Sequence, residues 1–150
     1  MRELLVIGGS AGALEPLFAL VTALPAGYTA PIVVVIHLPP THESLLPSLL
    51  AGPARRPCCE VEDKLPLVDG AIYVAPPNYH VLVEGRGHLA LSVDAPVRWS
   101  RPSIDVLFES AADGFGARTT GVILSGASDD GSAGLARIVA AGGRGFVQTD

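Results

Sequence analysis

Three residues of this chain have the types and settings that nucleophilic acyl transfer needs: Ser10, His37 and Asp130. Ser10 lies in Leu4-Leu5-Val6-Ile7-Gly8-Gly9-Ser10-Ala11-Gly12, an apolar run leading into Gly-x-Ser-x-Gly. A strand, a tight turn and a helix in that order expose the serine hydroxyl. The helix also aims unpaired N–H groups at the point where negative charge would develop. The glycines tolerate a strained turn and permit close approach of neighbouring chain. His37 follows the apolar run 32–36, and Asp130 lies just beyond the apolar run 120–124, within Ser125-Gly126-Ala127-Ser128-Asp129-Asp130-Gly131. A hydroxyl nucleophile, a general base and a carboxylate that orients the base complete such a set.

Other readings of the same residues exist. A glycine-rich turn into a helix also cradles phosphate. The dinucleotide fingerprint Gly-x-Gly-x-x-Gly, however, finds Gly8, Ser10 and Ala13, or Gly9, Ala11 and Leu14, and a Walker loop would need a lysine that is not near. His37 could be a core histidine, and one of Asp129 and Asp130 should serve the turn or cap the helix that follows. His42, His80 and His88 fall in loop or hairpin positions and read as solvated or structural, with His80 the one placed to line a cleft. No His, Cys or acidic cluster has metal-ligand spacing, so neither a metal nor a cofactor is expected.

The elements that must position Ser10, His37 and Asp130 follow from periodicity. Strands are expected at 3–7, 32–36, 120–124 and 145–148, with helices at 14–24, 43–51, 103–113 and 132–141. Ser103 is the expected N-cap of the third helix. The short runs 72–75, 79–83 and 89–93 read as an antiparallel meander, and the strands at 120–124 and 145–148 as buried. Strands alternating with helices predict an α/β fold: a three-layer, doubly wound, mostly parallel sheet with an antiparallel hairpin insertion, in one domain over 1–150. Open sheets of this kind place their sites beyond the carboxyl ends of the strands. Ser10, His37 and Asp130 all follow strands, so they share one edge. Their chain order, serine then histidine then acid, is not that of the α/β-hydrolases, which run serine, acid, histidine.

Composition sets the partners. A net charge of −5 gives no basic stripe for a nucleic-acid backbone. No apolar run reaches the roughly 18 residues of a membrane span. Cys58 and Cys59 are adjacent and cannot staple distant parts of the fold, which favours a reducing, cytoplasmic setting.

Five motifs in order carry a resemblance across essentially the whole chain: Val6 to Gly12, Ile36-His37-Leu38-Pro39-Pro40, Ile72-Tyr73-Val74-Ala75-Pro76-Pro77 with His80, Arg101-Pro102-Ser103-Ile104-Asp105-Val106-Leu107-Phe108, and Leu124 to Gly131. The set resembles the catalytic domain of the protein-glutamate methylesterases, the CheB family of bacterial chemotaxis. The resemblance implies a serine hydrolase that removes methyl esters from glutamates of methyl-accepting receptor helices, often with deamidation of receptor glutamines. It implies Ser10 as nucleophile, His37 as base, Asp130 rather than Asp129 as acid, and the backbone N–H groups of Ala11 and Ala127 as the oxyanion hole. Ala11, Ala13 and Ala127 depart from residues common in better-known members, which bears on pocket shape. No receiver domain precedes Met1, and the family's domain continues past the point where this sequence stops, so self-association through an uncovered C-terminal region is expected. A non-catalytic binding module on the same fold and a small-molecule carboxylesterase are the alternatives.

Overall fold

A computed structural model describes residues 2–37, 45–85, 87–124 and 129–149. Six parallel strands form the main sheet: β1 (Leu4–Ser10), β2 (Ile32–His37), β3 (Cys58–Glu60), β5 (Ile72–Val74), β8 (Thr119–Ile123) and β9 (Arg144–Val147), in the order β3-β5-β2-β1-β8-β9. A second, antiparallel sheet holds β4 (Leu65–Pro66), β6 (His80–Glu84) and β7 (His88–Ser92), in the order β4-β7-β6. Helices α1 (Leu14–Ala23), α2 (Leu46–Ala54), α3 (Ile104–Phe115) and α4 (Ser132–Ala140) complete the elements, and a 3-10 turn at Ala11–Ala13 joins β1 to α1.

The expected three-layer α/β architecture is the one observed. Alternation along β1 divides the core in two. Leu5 and Ile7 face α1 and α2 with Leu17, Val21 and Leu50, whereas Leu4 and Val6 face α3 and α4 with Ile104, Phe108 and Ile138. The strand β2 divides in the same way, with Val33 and Val35 on the α3 side. Both central strands are buried on both faces, which is why they read as unbroken apolar runs.

Two expectations are corrected. The run at 72–75 does not open an antiparallel meander; Ile72–Val74 pairs parallel with β2 and β3. All three residues are buried, as a strand inside a covered sheet requires. The last strand is not buried either. β9 lies beyond β8, and all four of its residues are exposed, Phe146 by 54 % and Val147 by 61 %.

The glycines before Ser10 have a packing role. Neither Gly8 nor Gly9 has a left-handed backbone, and Ser10 itself is extended at φ −93°, ψ −179°, so strain is not their reason. A Cβ on Gly8 would lie 2.5 Å from Ile104 Cγ2. The missing side chain lets the first turn of α3 settle directly on β1, two residues before the serine.

Candidate active site

In the main sheet Ser10 and His37 are register partners at the carboxyl ends of β1 and β2. By the alternation above, both side chains leave on the face that carries α3. β1 lies between β2 and β8, where the chain's winding reverses, and this is the crevice position of an open α/β sheet. Asp130 arrives from the segment between β8 and α4 and meets His37 there, with His37 Nε2 2.9 Å from Asp130 Oδ2. The His37 side chain keeps 19 % exposure while that of Asp130 has none, so the imidazole can be reached by a substrate and the carboxylate cannot.

The Asp130 carboxylate is held by a helix other than its own. Oδ1 accepts from the Ser103 hydroxyl at 2.8 Å and the Asp105 N–H at 2.9 Å, and Oδ2 from the Ile104 N–H at 2.6 Å. These are orphan donors at the start of α3, aligned with the positive end of its dipole. Burial alone would raise the Asp130 carboxyl. The bonds from His37, Asp105, Ile104 and Ser103 outweigh burial and hold it below the usual carboxylate range. It is therefore ionised at neutral pH and accepts a proton-bearing Nε2 from His37. That fixes the tautomer, leaving Nδ1 as the basic nitrogen, the reverse of the ring orientation in the Ser-His-Asp proteases. Among the described residues no hydrogen bond joins Ser10 to His37. Such contacts are often long in an unliganded site and tighten around substrate.

Further polar residues support the pair. Asp105 Oδ1 accepts from the N–H groups of Gly131 at 3.0 Å and Gly134 at 2.7 Å, so α3 and α4 exchange carboxylates, each capping the other's start. Arg98 Nε donates to Asp105 Oδ2 at 3.2 Å. His80, 1 % exposed, accepts the Ser103 N–H on Nδ1 and is bonded through Nε2 to the carbonyl of Ala95. Rather than lining a cleft, it fixes the residue whose hydroxyl grips Asp130. The sequence marked Ser103 only as an N-cap, a role it also fills through the Val106 N–H. Asp105 carries a signal of its own in the sequence: it stands three residues before Phe108 and seven before Ala112, an acid within the buried stripe of a helix.

The other candidates separate clearly. Asp129 is exposed, and its backbone carbonyl accepts the Ser132 N–H. His88 is bonded to Glu84 on the surface. The backbone of Ala11 opens the 3-10 turn beside Ser10. Ala127 and His42 lie outside the described residues. Burial pushes the Cys58 thiol up to about 11, aided by Cys59 and opposed by Arg56, so neighbouring chemistry does not draw on a thiolate there. Among the described residues no group of His, Cys and acids is arranged to hold a metal.

Comparisons with known proteins bear on the family and the fold. The pattern of the CheB methylesterase family matches residues 5–150. A Leptospira interrogans protein, named provisionally as a protein-glutamate methylesterase/protein-glutamine glutaminase, is 39 % identical over 146 residues, covering 97 % of this chain and 76 % of its own length. A Rhodospirillum rubrum protein-glutamate methylesterase/protein-glutamine glutaminase is 36 % identical over 99 % of this chain, which spans 40 % of that longer protein. The crystal structure of the Thermotoga maritima CheB methylesterase catalytic domain superposes with a TM-score of 0.91 at 29 % identity, over 97 % of this chain and 78 % of that one. A chain matched by the family pattern over nearly its whole length, with this fold, belongs to the CheB methylesterase family of carboxylic-ester hydrolases.

Proposed function

We propose that residues 1–150 form a catalytic domain that demethylates glutamate γ-methyl esters on receptor helices in the cytoplasm, with Ser10, His37 and Asp130 as its triad. Ser10 Oγ bonds to the ester carbonyl carbon as His37 Nδ1 takes the hydroxyl proton. The developing oxyanion is held by the backbone N–H groups of Ala11 and Ala127. The C–OCH3 bond then breaks, and methanol leaves with the proton from Nδ1. Water attacks the acyl-Ser10, giving its proton to Nδ1. The glutamate carboxylate departs, and Ser10 recovers its hydrogen. The same steps on a glutamine side chain release ammonia instead, so deamidation belongs to the proposal.

The observation that carries this reading is the 2.9 Å contact of His37 with a buried, ionised Asp130 beside the end of β1. The methylesterase and glutaminase names of the relatives supply the substrate class. Self-association through β9 is part of the reading, supported by its place at the end of the main sheet among the described residues and by the exposure of Phe146 and Val147. The test is methanol release from a methyl-esterified receptor fragment. The wild-type protein should release it, and Ser10→Ala should lose at least about 10^3-fold in kcat. Methanol release by Ser10→Ala at the wild-type rate would end the assignment. Labelling of Ser10 by a serine-directed phosphonate separates a hydrolase from a binding module.

A further inference from the structure

Four residues before Ser103, the chain makes a two-residue hairpin turn of unusual composition. Val97 and Ser100 pair through both N–H···O bonds, each 2.9 Å, with Arg98 and Trp99 between them. Both central residues have positive φ, 48° and 67°, the backbone that such turns normally fill with Asn and Gly. Trp99 is 99 % exposed, so burial explains neither its presence nor its conformation. Bulky side chains in the left-handed region persist where the surroundings hold them, and such positions concentrate at functional sites.

The surroundings here are the active-site supports. Arg98 is tied to Asp105, whose other oxygen holds Gly131 and Gly134 next to Asp130. Just after the turn, Arg101 donates to Asn78 Oδ1 in the loop before β6 and to the carbonyls of Val93 and Asp94 in the segment after β7. Arg101 spends its charge on neutral acceptors. Val93, whose carbonyl Arg101 holds, is exposed by 68 %, and Tyr79, next to Asn78, by 41 %. The turn thus carries a fully exposed aromatic tip with Arg98 and Arg101 on either side of it in sequence, on a protein whose net charge is −5. Four residues of extended chain span at most about 14 Å, so the Trp99 backbone lies within about 14 Å of that of the residue that grips Asp130.

We propose that Trp99 is the docking anchor for the substrate helix: its ring packs on the apolar stripe of a helix whose esterified glutamate enters at Ser10, while Arg98 and Arg101 face that helix's free glutamates. Trp, with Arg beside it, is the residue type that dominates protein interfaces. The charge pattern suits an acidic helix. This inference rests on the esterase reading above, and it names how that site would select a helix over a small ester.

Trp99 is the sole tryptophan, so its emission reports on this turn directly. The probe is a coiled-coil peptide bearing one glutamyl γ-methyl ester among free glutamates, added to Ser10→Ala protein so that no turnover occurs. Binding should move the Trp99 emission to the blue and cut its quenching by acrylamide several-fold. In the wild-type background Trp99→Ala should raise KM for the same peptide several-fold with kcat held, Trp99→Phe should recover most of the loss, and Trp99→Gly, which suits the backbone, should behave like Ala. Replacing the peptide's free glutamates by alanine, which the site cannot deamidate, should raise KM as well. Peptide binding seen by calorimetry with unchanged Trp99 emission overturns the anchor, as does an unaltered KM in Trp99→Ala; either result leaves the esterase reading standing if methanol is released. An emission shift without methanol release from wild-type protein does the opposite: docking stands and the reaction assignment falls.

Discussion

On one face of the main sheet α1 and α2 pack through apolar side chains alone, whereas on the other α3 and α4 are joined by exchanged carboxylates. The first face buries Leu17, Val21, Leu46 and Leu50, and neither helix there has a side-chain cap. Every buried polar side chain among the described residues belongs to the second: His80, Ser103, Asp105, Thr119 and Asp130. Apolar packing is tolerant and non-directional, and it fixes the sheet's position without fixing any atom to a fraction of an ångström. Hydrogen-bonded carboxylates are directional, so the face that must aim His37 uses them. Under the triad proposed above, the apolar face carries stability and the polar face aims the reacting groups, a division that substitution on each face can break.

The largest effect should come from Asp130→Asn set against Leu50→Ala. The carboxylate accepts on both oxygens, Oδ1 from Ser103 and Asp105 and Oδ2 from Ile104 and His37. An amide has one acceptor, so its NH2 must face an N–H donor whichever way it is turned. Loss of the His37 tautomer should lower kcat by about 10^4-fold. The orphaned donors should lower unfolding free energy by about 1–3 kcal/mol. Leu50 is fully buried in α2, and Leu50→Ala should cost about 2–5 kcal/mol through the cavity it leaves. Its kcat, measured on folded protein, should stay at the wild-type value. Equal kcat losses in the two variants would show that the faces are not separate in function.

A middle-sized effect tests how the polar face is seated on the sheet. In Gly8→Ala the new Cβ would lie 2.5 Å from Cγ2 and 2.8 Å from Cγ1 of Ile104, a fully buried residue whose N–H is bonded to Asp130. The start of α3 must shift, at a cost of about 1–3 kcal/mol. A displacement of this kind should reduce kcat by about 10- to 100-fold. Ile104→Ala removes the clashing atoms, so the double variant should recover part of both losses. A double-mutant cycle on unfolding free energy and on kcat reads the coupling, and strictly additive effects would mean that Gly8 matters for some other reason.

Much of this was legible in the sequence because burial on both sides leaves an unmistakable mark. The runs at 3–7, 32–36 and 120–124 announce central parallel strands, and a polar residue after each announces the site edge. The short strands were not legible. Cys58–Glu60 and Leu65–Pro66 are too brief and too exposed to show a period. Ile72–Val74 was assigned to the wrong sheet because the turn residues after it suggest a hairpin, while the chain in fact passes from one sheet to the other. Apolar character misled at Phe146 and Val147, which lie on an edge strand. At the site, residue types and strand ends brought Ser10, His37 and Asp130 to one edge. The supports were hidden because each acts on a partner 23 to 29 residues away: His80 on Ser103, Asp105 on Gly131 and Gly134. Local patterns report a helix's own cap, and here the caps are traded between helices.

The smallest expected effect sharpens the comparison through pH. In the folded protein Asp130 is held below the usual carboxylate range, whereas in the unfolded chain it returns to about 3.9. A depressed carboxyl contributes stability that is complete above the unfolded value and is lost as pH falls through the folded one. Asp130→Asn has no proton to take up at this position. The gap in unfolding free energy between wild type and Asp130→Asn should therefore be widest from neutral pH down to about 4 and should narrow below that. His37 faces Asp130 directly and loses its carboxylate partner in Asp130→Asn, and Asp105 with Arg98 lies one bond further on, so the gap is read on the acid side, where Asp130 itself takes up its proton. The gap between wild type and Leu50→Ala should instead stay flat, because a cavity among apolar side chains has no proton linkage. Urea unfolding of the three proteins across acidic pH measures both gaps. A constant Asp130→Asn gap would mean that the network around α3 does not depress this carboxyl, and an equal narrowing for Leu50→Ala would trace acid sensitivity to the whole sheet rather than to its polar face.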